Sequence, residues 1–180
     1  MIEKWQKLDS RYLVRERWAT LRVDTCKLPN GSIKDDYYVL EYPDWVNAVA
    51  VTAEGKIILV RQYRFAAGIV SLEIPGGVID EGEDPETAIR RELLEETGYA
   101  FSSSEKIAEL YPNPATSTNK VYTYLFTGGE KVQEQHLDEH EILEVEQYTF
   151  AEVRELLAQN KIAQAMHCAG LFYVLQKLDK

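Results

Sequence analysis

The sequence predicts an α/β protein in which a mixed sheet is packed between helices. Three observations point there. Strand-like and helix-like runs are interleaved without strict alternation, which disfavours a doubly wound parallel fold. Two strand runs, "WVNAVAVT" and "KIILVRQYR", are apolar almost throughout, the mark of strands buried on both faces. The chain has 180 residues, enough for one domain with a real core and a small extension.

The elements follow in order. "RYLVRERWATLRVDTCKL" alternates as strands do, and Asn30-Gly31 is a strong hairpin signal. The two apolar strands are joined by Ala53-Glu54-Gly55. "IVSLEI" is a further strand, ended by Pro75-Gly76-Gly77. A helix over 85–97 has Asp84 as N-cap, Pro85 in its first position and Gly98 as its stop. "VYTYLFTG" and "ILEVEQYTF" add two strands. "AEVRELLAQ" is a second helix, and "IAQAMHCAGLFYVLQKL" an amphipathic third, on which His167 and Cys168 read as core packing.

Composition narrows the function. Hydrophobic residues make up 45% and charged residues 28%, an ordinary globular balance. The formal net charge of -10 argues against general binding to nucleic acid or to an anionic membrane. It leaves a small phosphate substrate open, because a bound metal ion inverts the sign of an acidic site. No apolar run approaches the ~18 residues of a membrane span, and the opening residues are not those of a secretory signal. Two cysteines are too few for a disulfide framework, so the expectation is a soluble cytoplasmic protein with buried thiols.

The segment "GGVIDEGEDPETAIRRELLEETGY" carries the chemistry. On the helix from Pro85, Glu92, Glu95 and Glu96 stand at i, i+3 and i+4 and share one face. Like charges at that spacing repel. Clustered carboxylates are also what a hard divalent cation takes as ligands. Gly76-Gly77 lets backbone come close to the same ion or to a phosphate. Arg91, four residues before Glu95, offsets part of the repulsion, and Glu83 lies at the helix entrance. A charged solvent face would explain such a helix taken alone.

The order of residues says more. Gly77, five residues, Glu83, seven residues, then Arg91-Glu92-Leu93-Leu94-Glu95-Glu96-Thr97-Gly98-Tyr99 resembles the signature of the Nudix hydrolases, with Tyr99 where an aliphatic residue is usual. The resemblance implies an α/β/α sandwich with a mixed β-sheet, plus an N-terminal β extension. It also implies Mg²⁺ (or Mn²⁺) held by Glu92, Glu95, Glu96 and the carbonyl of Gly76. Arg91 would orient Glu95, and Glu83 would support the set. "ILVRQYRF" followed by "SLEIPGGVIDEGE" is similar to the ADP-ribose pyrophosphatases and their ADP-sugar relatives. In those enzymes the N-terminal region forms a homodimer. The expected division is therefore residues 1–44 as a dimer-forming β extension and 45–180 as the Nudix hydrolase domain.

By the same resemblance Arg64, with Glu73 and Arg61 nearby, would reach substrate phosphate or ribose. Trp45 and Trp18 are candidates to stack on a base across the dimer. Pro114 stands near the proline typical of the subfamily. The chain departs from the pattern after it, with Ala115 for glycine and Asn119 where an acid is expected. "HLDEHEILEV" resembles a mobile acidic loop that supplies a general base, either Glu139, slightly favoured, or Glu141. His136 and His140, four apart, have no third ligand at metal spacing. The expected activity is metal-dependent hydrolysis of ADP-ribose to AMP and ribose 5-phosphate. The alternatives are hydrolysis of GDP-mannose or another nucleoside diphosphate sugar, and a non-catalytic nucleotide sensor.

Overall fold

The computed structural model describes residues 1–179. Its strands and helices fall into two units, one of residues 1–43 with 111–120 and one of residues 44–110 with 121–180.

The first unit is an antiparallel three-stranded sheet of β1 (Gln6–Glu16), β2 (Ala19–Lys27) and β3 (Ile33–Glu41). The alternating run read from the sequence is two strands, because the chain reverses at Arg17-Trp18 inside it. The second reversal falls at Asn30-Gly31 as expected, with Gly31 at φ 85°. Asp24 binds the sheet together: it accepts from the Ser10 hydroxyl at 2.6 Å and from Arg22 Nε at 3.0 Å. The segment 111–120 joins β3. Leu40 N–H donates to the Thr116 carbonyl at 2.7 Å, Thr118 N–H donates to the Leu40 carbonyl at 3.1 Å, and the Tyr37 hydroxyl donates to the Ala115 carbonyl.

The second unit is a seven-stranded sheet built from β4 (Trp45–Thr52), β5 (Ile57–Arg64), β6 (Ile69–Glu73), β7 (Gly76–Val78), β8 (Tyr99–Leu110), β9 (Val121–Lys131) and β10 (Leu143–Tyr148). Its main path runs β10-β5-β4-β9-β8, with β6 on β5 and β7 on β4. The β4–β9 pair is parallel and the other pairs are antiparallel, so the sheet is mixed as predicted. The sequence reading did not foresee β7 or β8.

Side-chain alternation along β4 builds two cores. Val46, Ala48 and Ala50 pack with Ala88, Ile89 and Leu93 of α1 (Pro85–Thr97). Val49 and Val51 pack on the other face with Val153 of α2 (Phe150–Ala158) and Leu171 and Val174 of α3 (Ala165–Leu178). Helices therefore cover both faces, the α/β/α arrangement expected, and the buried runs of β4 and β5 are apolar for that reason. Across the second face the Thr123 hydroxyl donates to Asn47 Oδ1 at 2.7 Å, giving both buried polar groups a partner.

The cap of α1 is as its sequence demands. Asp84 accepts from the N–H groups of Glu86 and Thr87, and Pro85 gives up no needed donor. At the far end Gly98 adopts φ 74° and its N–H reaches the Leu94 carbonyl. A Cβ there would lie 2.2 Å from the Gln133 carbonyl oxygen. Gly98→Ala is expected to destabilise the fold by at least ~1 kcal/mol from the left-handed backbone alone, with the overlap adding to it. Urea denaturation checks this: a midpoint equal to that of the parent would contradict it.

Candidate active site

The site grows from the junction between β7 and α1. β7 is pinned to β4 by the Asn47–Gly76 and Val46–Gly77 pairings, which bring the Gly76 backbone to the C-terminal half of α1. Gly76 N–H donates to Glu96 Oε2 at 3.0 Å. Glu96 is only 2% exposed, and this N–H is the one donor to its carboxylate among the described residues. A Cβ on Gly77 would sit 2.3 Å from the Glu92 carboxylate, so the absence of a side chain there makes the cradle that Glu92 fills.

Arg91 holds the acids in place. Its guanidinium donates to Glu83 at 3.2 and 3.0 Å, to Glu92 at 2.8 Å, to the Val78 carbonyl at 3.2 Å, and more loosely to Glu95 at 3.4 Å. Glu83, which also accepts from Asp80 N–H, is thus the main partner of Arg91, and Glu95 is the weakest. The carboxyl of Glu83 is held below its usual range by Arg91. Glu92 and Glu96 behave oppositely. Burial pushes both upward, Glu96 strongly, and the nearby charges of Glu92 and Glu141 push Glu96 further, against the Gly76 N–H and Arg64.

A loop then closes over the end of α1. Gln135 Nε2 donates to the Glu96 carbonyl at 2.7 Å, His136 N–H to the Glu95 carbonyl at 2.9 Å, and the N–H groups of Val132 and Gln133 to the Gly98 carbonyl. These bonds satisfy carbonyls that a helix end leaves free. They also bring Glu141 to the cluster. Burial, with the charges of Asp138 and Glu95, pushes Glu141 upward despite the Asp138 backbone bond, and Arg64 opposes this. Glu139 is exposed. Of the two acids named for the loop, the structure brings Glu141 into electrostatic reach of Glu92, Glu96 and Arg64, and not the slightly favoured Glu139. His136 and His140 are exposed.

The other expected residues are placed differently from one another. Arg64 makes a two-point bond to Glu73, at 3.0 and 2.6 Å. Arg61, on the opposite face of β5, is engaged by Glu146 of β10 instead. Trp18 is exposed at the β1–β2 reversal beneath the Arg17 guanidinium, 4.8 Å from its ring centre. Trp45 starts β4, opposite Val78 and Val121. Pro114 lies in the segment that joins β3. Tyr99 packs against the α1 core as an aliphatic residue would, and its hydroxyl accepts from Gln147 Nε2 at 2.7 Å. Gln135 and the contact of His167 with Glu73 escaped the sequence reading, since neither falls in a local pattern.

The donor set fits a hard divalent cation. Its oxygens are carboxylates, one buried at Glu96 and one half-buried at Glu92, that repel one another and have few hydrogen bonds. Among the described residues no three such side chains are arranged to hold a metal ion, and Arg91 bonds both Glu92 and Glu95. A cation would compete with Arg91 for them.

This fold and this acid-lined helix define a Nudix protein, and the chain belongs to that family: the NUDIX domain model matches residues 42–167. Residues 5–40 match the nucleoside diphosphate sugar hydrolase N-terminal domain. Enzymes of the family generally require a divalent metal ion. The chain is 34% identical over 158 residues to an ADP-ribose pyrophosphatase of Bacillus subtilis, covering 87% of this chain and 85% of that one. It is 32% identical over 159 residues to a methanol dehydrogenase activator of Bacillus methanolicus, covering 88% and 85%. A crystal structure of an ADP compounds hydrolase superposes with a TM-score of 0.88 at 24% identity, covering 99% and 96%, which shows the shared fold. No helix among the described residues is long and apolar enough to cross a membrane.

The raised Glu96 has a pH signature. Its proton is held more tightly in the folded chain than in the unfolded one. Its contribution therefore favours folding below the unfolded glutamate value of about 4.3, and is lost as pH rises through the folded value. In chelator at pH 7.5, Glu96→Gln is expected to melt a few degrees higher than the parent. The gain should vanish near pH 4. Thermal melts across this range check it, and a variant less stable at pH 7.5 would contradict the reading of Glu96 as a repelled, buried acid.

Proposed function

We propose that this Nudix pyrophosphohydrolase cleaves the diphosphate of ADP-ribose, giving AMP and ribose 5-phosphate, with Mg²⁺ or Mn²⁺. The observation that carries this reading is the mutually repelling set of buried Glu96 and half-buried Glu92 and Glu141, of which Glu96 and Glu141 act on the Arg64 guanidinium. Such a site favours a cation and a polyanion together over either alone. The two matched models, one of them for nucleoside diphosphate sugar hydrolases, support the substrate class.

Glu92, Glu95, Glu96 and the Gly76 carbonyl would hold the metal. Bound there, such an ion would supply charge neutralisation of the diphosphate, a more acidic water and a more stable leaving phosphate. The chain's own residues do the rest. Arg91 keeps the carboxylates apart and aimed while the site is charged. Arg64 offers a planar two-point grip on a phosphate. Glu141, whose carboxyl burial pushes upward and so makes a stronger base, takes a proton from water; Glu139 is left to solvent. Trp45 and Trp18 are proposed as candidates to stack on a nucleobase across the dimer. Residues 1–44 are proposed as the dimer-forming extension and 45–180 as the hydrolase domain. Both cysteines are free, in keeping with a reducing cytoplasmic setting.

Purified protein with Mg²⁺ is expected to convert ADP-ribose faster than GDP-mannose, read by chromatography of AMP, GMP and the sugar phosphates. GMP and mannose 1-phosphate forming faster would transfer the reading to GDP-mannose and tie Ala115 and Asn119 to the sugar. Glu96→Gln and Glu141→Gln should each lower kcat by about 10²–10⁴-fold, and Glu139→Gln by little. Equal losses at 139 and 141 would remove the base from Glu141.

The N-terminal sheet is proposed to pair two copies of the chain. Every residue of β1 is exposed, including Leu8, Tyr12, Leu13 and Val14, and its outer edge is unpaired among the described residues. Light scattering should give twice the 20.7 kDa chain mass, falling to one chain in Leu13→Arg/Val14→Lys. A parent that is monomeric at tens of micromolar would refute the dimer.

A further inference from the structure

Behind Arg64 lies a second layer that the reaction above does not use. Glu73 is 1% exposed, and its carboxylate is bound at two points by Arg64, whose side chain is 48% exposed. On the other side stands His167, in the first turn of α3 and 8% exposed. Its backbone N–H is tied to the capping Gln164 side chain at 3.1 Å, which fixes the ring's position. The Nδ1 atom is buried, lies 3.5 Å from Glu73 Oε2, and has no hydrogen-bond partner.

The charges around this trio are few. Among the described residues the charges that act on His167 are Glu73 and Arg64, and burial together with Arg64 holds its pKa down to about 4 despite Glu73. The ring is therefore neutral near pH 7, and Arg64 is the cation that keeps Glu73 ionised against its burial. Arg64 in turn faces Glu73, Glu96 and Glu141. An arginine cannot give both faces of its fork to a buried carboxylate and to a phosphate. When it turns outward, Glu73 keeps its bond with the Ser71 side chain but is left a buried charge with no cation beside it, which is costly. A protonated imidazole would restore a cation where one has been withdrawn. One further group lies within reach of Glu73 and has a free nitrogen.

We propose that His167 is a positioning residue that takes Glu73 over from Arg64. As Arg64 swings to the diphosphate, His167 gains one proton from solvent on Nδ1 and donates it to the Glu73 carboxylate, so that substrate binding is linked to uptake of one proton. This rests on the reading of Arg64 as the phosphate grip. The covalent balance is simple: a proton leaves the buffer, an N–H bond forms on the imidazole, and no other bond changes. The ring is returned to neutrality when product leaves and Arg64 comes back.

The test removes the substrate from the question first. The chain has three histidines, 136, 140 and 167, and the spectrum of His167→Gln identifies the ring resonances of His167. In the parent, ¹⁵N-detected titration should place His167 near 4. In Arg64→Ala, which mimics a departed guanidinium, it should rise to about 6 or higher. Adding Glu73→Gln should return it to the acid range. A ring that stays neutral at pH 6 in folded Arg64→Ala overturns the proposal. The parent with ADP-ribose in chelator at pH 6 then tests the linkage, since this diphosphate has no titrating proton of its own there. A protonated His167 supports it, and a bound ligand with a neutral ring overturns it. Failure of ADP-ribose to bind would instead strike the substrate reading, with Arg64→Ala still deciding the role of His167. In steady state, His167→Gln should raise KM roughly tenfold with kcat nearly unchanged, and flatten the rise of KM with pH.

Discussion

Arg91 is the interaction on which the rest of the site depends. One guanidinium spans the entrance of α1, its acidic face and the β7 backbone, through Glu83, Glu92, Glu95 and the Val78 carbonyl. Without it three carboxylates within one helical turn would repel at close range. With it they are concentrated, aimed and still exchangeable. The pair of Arg64 and Glu73 repeats this logic across the site on β5 and β6. Both arginines are partly exposed and both carboxylate partners are more deeply placed, so each cation can be withdrawn from its acid by a competing ion.

Much of this was legible because it is local. The caps of α1 lie within the stretch they terminate, and spacing alone puts Glu92, Glu95 and Glu96 on one face. β4 and β5 announced themselves by unbroken apolar character, which burial on both faces requires. β8 did not, since "FSSSEKIAEL" is largely exposed and owes its strand to β9, whose residues come later in the chain. The end of the run read as one strand at 142–150 was taken by a helix cap, because Thr149 and Glu152 bond each other reciprocally.

Site residues outside the helix were less legible for the same reason. The distinction between Glu139 and Glu141 is made by bonds from Gln135 and His136 to α1, which set where the loop turns. No pattern within the loop encodes them. Arg61 and Arg64 stand three apart on a strand and so face opposite ways, and the partner of each is supplied by a different neighbour. His167 lies on an apolar helix and resembles core filling. Only the approach of α3 to the end of β6 shows that it faces a charge.

The segment 111–120 lies between β8 and β9 in the chain yet completes the edge of β3. On a ribosome this separates the two units in time. The N-terminal three strands emerge first, but Leu40 waits for Thr116 and Thr118 before its backbone is bonded. By then the first six elements of the second unit have been made, though β4 still lacks its parallel partner β9. Neither unit can be finished before the other is well advanced, and a contiguous piece cut from the gene would carry one of them only in part.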